Sequence, residues 1–262
     1  MSLPIFRAQD DPGPNFTALV SKDNFLGQFQ GNLAGFSKDE IRHATTVLAM
    51  RTKNGVLMAG DRRATEANRI AHRAMEKVYQ ADRHSAIAIA GAAGPAMEMV
   101  RIYQIQLDHF EKVEGVALSL EGKANQLGQM VAGHLALAMQ GLAVVPLFAG
   151  YDLKREVGRI FSYDVTGGRY EEADFAATGS GGRDARSVVK MGFKEGLEDS
   201  EAIKLALSAL KEAADEDSAT GGIDLGRKIY PIVAVVTSDG YQRIEDDVLA
   251  EMTLEMDSEA PR

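Results

Sequence analysis

His43-Ala44-Thr45-Thr46-Val47-Leu48-Ala49-Met50 is the stretch on which the reading of this chain turns. An apolar run begins there abruptly, led by two threonines behind a small residue, after a segment (1–44) of different character. A cut between Ala44 and Thr45 would leave a hydroxyl and a free amine on one residue, a nucleophile carrying its own base. Thr45 to Thr52 reads as a strand, Lys53-Asn54-Gly55 as a tight turn and Val56 to Ala59 as the returning strand. Asn-Gly between two apolar runs is a strong hairpin signal. The hairpin brings Gly60-Asp61-Arg62-Arg63 back to the end where Thr45 sits, so Asp61 is expected beside Thr45 despite sixteen residues of separation. The plainer alternative is an Asp that merely closes a strand.

Upstream, Pro4, Pro12-Gly13-Pro14, Gly27, Gly31 and Gly35 punctuate the chain. A disordered leader fits residues 1–20. Spaced apolar residues in 21–44 (Phe25, Leu26, Phe29, Leu33, Phe36) suit docking on a partner, and the sharper reading of 1–44 is a propeptide. Early Asp10 and Asp11, with no apolar h-region behind them, argue against a secretory signal. The 262 residues are 45% hydrophobic and 26% charged, an ordinary globular composition, and no apolar run reaches membrane-spanning length. A net charge of -9 argues against nucleic acid as a principal partner, because phosphate binding needs a basic surface. The absence of cysteine removes disulfides, thiolate catalysis and zinc-thiolate sites, and suits a reducing cytoplasm.

Downstream, Ala71 to Gln80 reads as a strand that turns at Asp82-Arg83 into Ser85 to Ala90. Period-2 alternation puts Met75, Lys77 and Tyr79 on one face. A lysine between large apolar neighbours needs a partner if that face is buried, and Asp61 is the candidate; on an exposed face Lys77 is decoration. The run Ile87 to Pro95 passes from a buried strand through Gly91 and Gly94 into a helix start. Neither phosphate-loop pattern is present. Pro95 to Lys112 and Ser119 to Leu142 carry helical periodicity, their methionines reading as core filler and His109 and His134 as ordinary helix residues. Strands follow at Val144 to Tyr151, Gly158 to Asp164 and Arg169 to Thr178. Gly179-Ser180-Gly181-Gly182 then opens a helix over 183–196, where Ser180 could be a simple N-cap. A helix over 199–216, the loop Asp217-Ser218-Ala219-Thr220-Gly221-Gly222, a strand from Ile232 to Thr237, a turn at Asp239-Gly240 and a helix over 245–256 complete the chain. Helix pairs between blocks of antiparallel hairpins indicate an α+β fold, a four-layer αββα sandwich of two antiparallel sheets flanked by helices.

Thr45-Thr46-Val47, Met58-Ala59-Gly60-Asp61, Lys77-Val78-Tyr79, Ala90-Gly91-Ala92-Ala93-Gly94, Gly179-Ser180-Gly181 and Asp217-Ser218-Ala219-Thr220-Gly221 occur together and in order. In this the chain resembles the β subunits of the proteasome core particle, within the N-terminal-nucleophile hydrolases. Its long leader and its Asp-Ser-Ala-Thr-Gly-Gly loop are most similar to the actinobacterial type. The resemblance implies a threonine endopeptidase, made as a precursor whose propeptide (1–44) is removed autocatalytically between Ala44 and Thr45 to free a catalytic domain (45–262). Thr45 would be the nucleophile, Lys77 paired with Asp61 would favour its deprotonation, and Ser180, Asp217 and Thr220 would position the amine and a water. Gly91 would donate its N–H to the oxyanion, and Thr65 and Ala93 would pair with the substrate backbone. Ala64, Met75, Tyr79, Ile89, Ala93 and Met97 would line an apolar specificity pocket, giving chymotrypsin-like cleavage after hydrophobic residues. No cofactor and no metal are implied. The implied partners are α subunits and other β subunits in stacked heptameric rings, a regulatory ATPase ring and polypeptide substrates, in the cytoplasm, without nucleic acid or membrane. One departure is Ala44, where the family usually has Gly; Ala restricts the tight backbone that self-cleavage needs. The alternatives are a non-catalytic β scaffold subunit, an HslV-type protease or another N-terminal-nucleophile amidohydrolase.

Overall fold

The computed structural model describes residues 45–66 and 69–259, so the expected propeptide and Ala44 lie outside the described residues. In chain order the elements are β1 (Thr46–Arg51), β2 (Gly55–Gly60), β3 (Ala64–Glu66), β4 (Arg69–His72), β5 (Val78–Asp82), β6 (Ser85–Gly91), α1 (Ala93–Glu114), α2 (Leu120–Gly133), α3 (Leu135–Met139), β7 (Val144–Asp152), β8 (Val157–Tyr163), β9 (Arg169–Glu172), β10 (Phe175–Gly179), α4 (Gly182–Gly192), α5 (Asp199–Glu216), β11 (Ile232–Thr237), β12 (Gly240–Arg243) and α6 (Asp246–Glu259).

Alternation along β1 decides the layering. Val47 and Ala49 face one way, Leu48 and Met50 the other, and all four are fully buried. A strand covered on both faces must read as a continuous apolar run, which is why β1 and β2 do. One five-stranded sheet has the order β10-β1-β2-β11-β12 and the other β5-β6-β7-β8-β9. Every pairing within them is antiparallel. Val47, Ala49, Val56 and Met58 of the first sheet meet Val78, Ala86, Ala88, Leu147 and Ile160 of the second in a core between the sheets. Leu48, Met50 and Leu57 turn instead to Ala185 and Val189 of α4 and to Ala206, Leu207 and Leu210 of α5. Across the second sheet, Ile87, Phe148 and Phe161 pack on Met99, Tyr103 and Leu107 of α1 and on Leu127 of α2. The result is four layers in the order α, β, β, α. Each large apolar side chain so enclosed stabilises the fold by about 1.5–3 kcal/mol.

Three expected elements differ from what forms. The strand expected over 71–80 is two strands in different sheets, β4 and β5, with 73–77 between them. The strand expected over 169–178 is β9 in one sheet and β10 in the other. The chain crosses at Ala173-Asp174, where Arg51 donates from its N–H to the Asp174 carbonyl (2.8 Å) and from its guanidinium to the Ala173 carbonyl (3.2 Å). The helix expected over 119–142 breaks at Gly133-His134 into α2 and the short α3. There His134 Nδ1 lies 2.8 Å from the Met130 carbonyl. The short hairpin of β3 and β4 was not expected at all.

Candidate active site

The site is built where β1, β2 and β10 end together. Val47 pairs with Gly60 and Thr46 with Gly179, so Asp61 and Ser180 both follow strands that finish beside Thr45. Thr45 is 5% exposed, and its carbonyl accepts the Ser180 N–H at 2.9 Å. The next amide, Thr46 N–H, donates to Asp61 Oδ1 at 2.9 Å. The peptide joining Thr45 to Thr46 is therefore held at both its oxygen and its nitrogen. Gly179 makes the close approach possible: its φ is +100°, and a Cβ there would lie 1.7 Å from the Thr45 carbonyl oxygen.

Asp61 is fully buried and meets four donors. Oδ1 takes Thr46 N–H and the Lys77 ammonium, the latter at 2.6 Å; Oδ2 takes Arg63 N–H at 2.9 Å and Gly221 N–H at 2.8 Å. That fills the acceptor sites of a carboxylate. Lys77 is only 1% exposed. It lies just before β5 rather than on a strand, its carbonyl accepting Ile89 N–H at 3.0 Å. Burial pushes the Lys77 ammonium below its ordinary pKa, with Asp61 opposing through charge and hydrogen bond, Arg63 adding to the depression and Asp217 opposing it.

A second carboxylate closes the site. Asp217 caps the C-terminal end of α5 and accepts Ser180 Oγ–H, Thr220 Oγ1–H (2.6 Å) and the Ala219 N–H (3.1 Å). Burial works to raise its pKa, but these donors and the Lys77 charge together hold it below the usual carboxylate range. Ser180 is thus a donor to Asp217 rather than a helix cap, and α4 begins without a side-chain cap. Asp61, Lys77, Ser180, Asp217 and Thr220 form one connected neighbourhood around the Thr45–Thr46 peptide.

Thr46 is the member that sequence reasoning passed over. Its hydroxyl is fully buried, 2.6 Å from Thr220 Oγ1, and accepts the Gly181 N–H at 3.0 Å. Strand parity offered a signal: Thr46 shares the helix-side face of Leu48 and Met50, and Thr45 the opposite face. The roles of the Arg63 and Gly221 amides had no such signal, because they depend on loops that meet only in three dimensions.

The expected oxyanion donor Gly91 ends β6 with φ +114°, where a Cβ would meet the Ala143 carbonyl oxygen at 2.1 Å. Ala93 opens α1, and Thr65 lies on β3 opposite Ile70. Of the expected pocket residues, Ala64 is buried on β3, Met75 is half-buried with its N–H on the Arg62 carbonyl (3.0 Å), and Tyr79 is half-buried on β5. Met97 stands half exposed on α1. Ile89 differs from these, because its side chain is enclosed in the helix–sheet core with Ala96, Met99 and Val100. Among the described residues no group of three His, Asp or Glu side chains could hold a metal ion, and no helix is long and apolar enough to cross a membrane.

A family model described as "Proteasome subunit" matches residues 41–226. A protein of Acidimicrobium ferrooxidans named "Proteasome subunit beta" is 56% identical over 260 residues, covering 98% of this chain and 94% of that relative. Proteins of the same name from Streptomyces griseus and Acidothermus cellulolyticus are 57% and 52% identical. They align over 81% and 89% of this chain and over 76% and 82% of their own lengths. With the αββα layering and the sites at these strand ends, the match leaves one assignment: the chain belongs to the proteasome subunit family.

Proposed function

We propose that this chain is a catalytic β subunit of a proteasome core particle, a threonine endopeptidase whose nucleophile is Thr45. The observation that carries the reading is the buried Lys77–Asp61 pair (2.6 Å), bound through Asp61 Oδ1 to the amide that follows Thr45. Residues 1–44 act as a propeptide, and 45–262 form the catalytic domain. In self-processing, Thr45 Oγ attacks the Ala44 carbonyl carbon; the C–N bond breaks to give an ester and the free Thr45 amine, and water then hydrolyses the ester.

In peptide hydrolysis, Thr45 Oγ attacks the scissile carbonyl while its proton passes to the α-amine, whose ordinary pKa of about 7.7–8.0 suits both taking and returning a proton. The ammonium of Lys77 lowers the cost of negative charge on Oγ, and the Gly91 N–H receives the oxyanion. Collapse expels the amine fragment, which takes the proton back from the α-ammonium. Water, positioned with the amine by Ser180, Asp217 and Thr220, cleaves the acyl ester. Thr65 and Ala93 bind the substrate backbone as an added strand, which makes cleavage depend little on sequence. Ala64, Met75, Tyr79 and Met97, over a floor made by Ile89, favour hydrophobic residues before the cut. A fluorogenic peptide panel with acidic or basic residues cleaved fastest would contradict that preference.

A site this tolerant needs sequestration. The reading therefore includes assembly with α and other β subunits in stacked heptameric rings, served by an ATPase ring, in the cytoplasm. The test is Thr45→Ala in the assembled particle. Loss of peptide hydrolysis together with retention of residues 1–44, seen by intact mass, is expected; activity at the wild-type level would refute the proposal.

A further inference from the structure

Two carboxylates stand on opposite sides of the β1 terminus, and a single residue touches the system of each. Thr46 N–H donates to Asp61 Oδ1 (2.9 Å), and the Thr46 carbonyl accepts Asp61 N–H (3.1 Å). On its other side the Thr46 hydroxyl lies 2.6 Å from Thr220 Oγ1. The direction of that bond follows from proton counting. Thr220 Oγ1–H donates to Asp217 Oδ2 (2.6 Å), so its only proton is used, and Thr46 must be the donor between the two hydroxyls. The Thr46 oxygen in turn accepts Gly181 N–H (3.0 Å). The chain therefore runs in one sense, from Gly181 N–H through Thr46 and Thr220 to Asp217. A Cβ at position 181 would lie 2.8 Å from both threonine oxygens, so glycine there leaves the room that this arrangement needs.

We infer that Thr46 is a positioning residue for the reaction, its hydroxyl locking the Thr45–Thr46 peptide plane so that the Lys77–Asp61 pair and the Ser180–Asp217–Thr220 group address the same atom. This rests on the reading of Thr45 as nucleophile. Thr46 does not touch substrate. It fixes where Thr45 starts, because the plane is set at Thr45 O by Ser180 N–H (2.9 Å) and at Thr46 N by Asp61. Its own rotation is stopped by the hydroxyl bonds to residues 135 and 174 positions away in sequence. The β-branched side chain leaves few χ1 choices, so the bond to Thr220 selects one.

The experiment uses the full chain in its assembled, processed particle and compares Thr46→Val, Thr46→Ser, Thr220→Val and the Thr46→Val/Thr220→Val pair. Valine keeps the shape of threonine and removes only the hydroxyl. For Thr46→Val, kcat is expected to fall by about 10²-fold at unchanged KM, the order seen when a reacting group shifts by about 1 Å. Thr46→Ser, which restores the hydroxyl, is expected to return most of the rate, an outcome that a purely steric role would not give. Both valines break the shared Thr46–Thr220 bond, so the loss in the double variant should be clearly less than the product of the two single losses. Should Thr46→Val fail to assemble, Thr220→Val breaks the same bond from the other side together with the bond to Asp217, and its kcat must fall by at least the loss expected of Thr46→Val. Wild-type kcat in either valine variant, a change confined to KM, or losses that multiply in the double variant would overturn the inference. Failure of the nucleophile reading itself looks different: Thr45→Ala would then hydrolyse peptide whatever Thr46 does.

Discussion

Among the described residues, two of the buried cations, Arg159 and Lys77, are treated in opposite ways. Arg159, on β8 and 5% exposed, is surrounded by acceptors: Glu171 takes Nε and Nη2 at 2.7 Å each, Asp152 takes Nη1 at 3.0 Å, and Glu121 lies at 3.6 Å. Its guanidinium also stands 5.0 Å from the centre of the Phe161 ring. The Glu171 hydrogen bonds, against burial and with Asp152 helping, raise its pKa further. Lys77, 1% exposed, ion-pairs with Asp61 alone among the described residues, and burial carries its pKa downward. Removing a charge from water is costly, and the partners decide whether that cost is recovered. Arg159 is over-compensated and can only be a strut tying β8 to its neighbours. Lys77 has the single counter-charge of Asp61, which burial outweighs, so negative charge that develops nearby is favoured. That difference, more than burial or residue type, marks which of the two cations suits catalysis.

The contrast can be broken by experiment. Asp61→Asn leaves Lys77 buried without a counter-charge, and a loss of about 3–5 kcal/mol is expected in chemical unfolding, together with loss of peptide hydrolysis. Arg159→Met should cost less, about 1–3 kcal/mol, because Glu171 and Glu121 are each 45% exposed and can return to water, while Asp152, 12% exposed, keeps the Lys154 and Arg155 amides. Its kcat should match the wild type; a fall comparable to that of Asp61→Asn would erase the distinction between strut and catalytic charge. The smallest effect expected is in Ser180→Ala, which removes one donor from Asp217. That carboxyl has a depressed pKa in the folded chain, so its contribution to stability is present above the ordinary carboxylate range and disappears as the pH falls through the lowered value. With a donor gone the depression shrinks, and acid unfolding followed by circular dichroism should begin at a higher pH than in the wild type.

How much of this was legible in the sequence varies from place to place. The hairpin at Asn54-Gly55 was readable from two adjacent residues, and it carried Asp61 to Thr45. The layering was readable from helix pairs placed between blocks of antiparallel hairpins. The two split strands were not readable, because a chain that leaves one sheet for another at Ala173-Asp174 shows no Gly or Pro there; the bend is fixed by Arg51, more than a hundred residues earlier, whose guanidinium bond spans 122 positions. The Lys77 expectation had the right partner and the wrong setting, since period-2 alternation was assigned to a segment that is not strand. Between the two threonines, the offsets of the family's motifs fit Thr45 as the nucleophile and not Thr46. The physical reason it is not free to react is its hydroxyl's engagement with Thr220 and Gly181, which a sequence does not display.

The most direct test is to treat the assembled particle with an electrophilic peptide that forms a stable adduct with nucleophilic hydroxyls, and to map the adduct by mass spectrometry. Modification of Thr45 at a chain terminus freed of residues 1–44, with activity lost in proportion, is the expected result. An adduct on Thr46 or elsewhere with Thr45 unmodified, or full activity in a chain that still carries its leader, would contradict the assignment of Thr45.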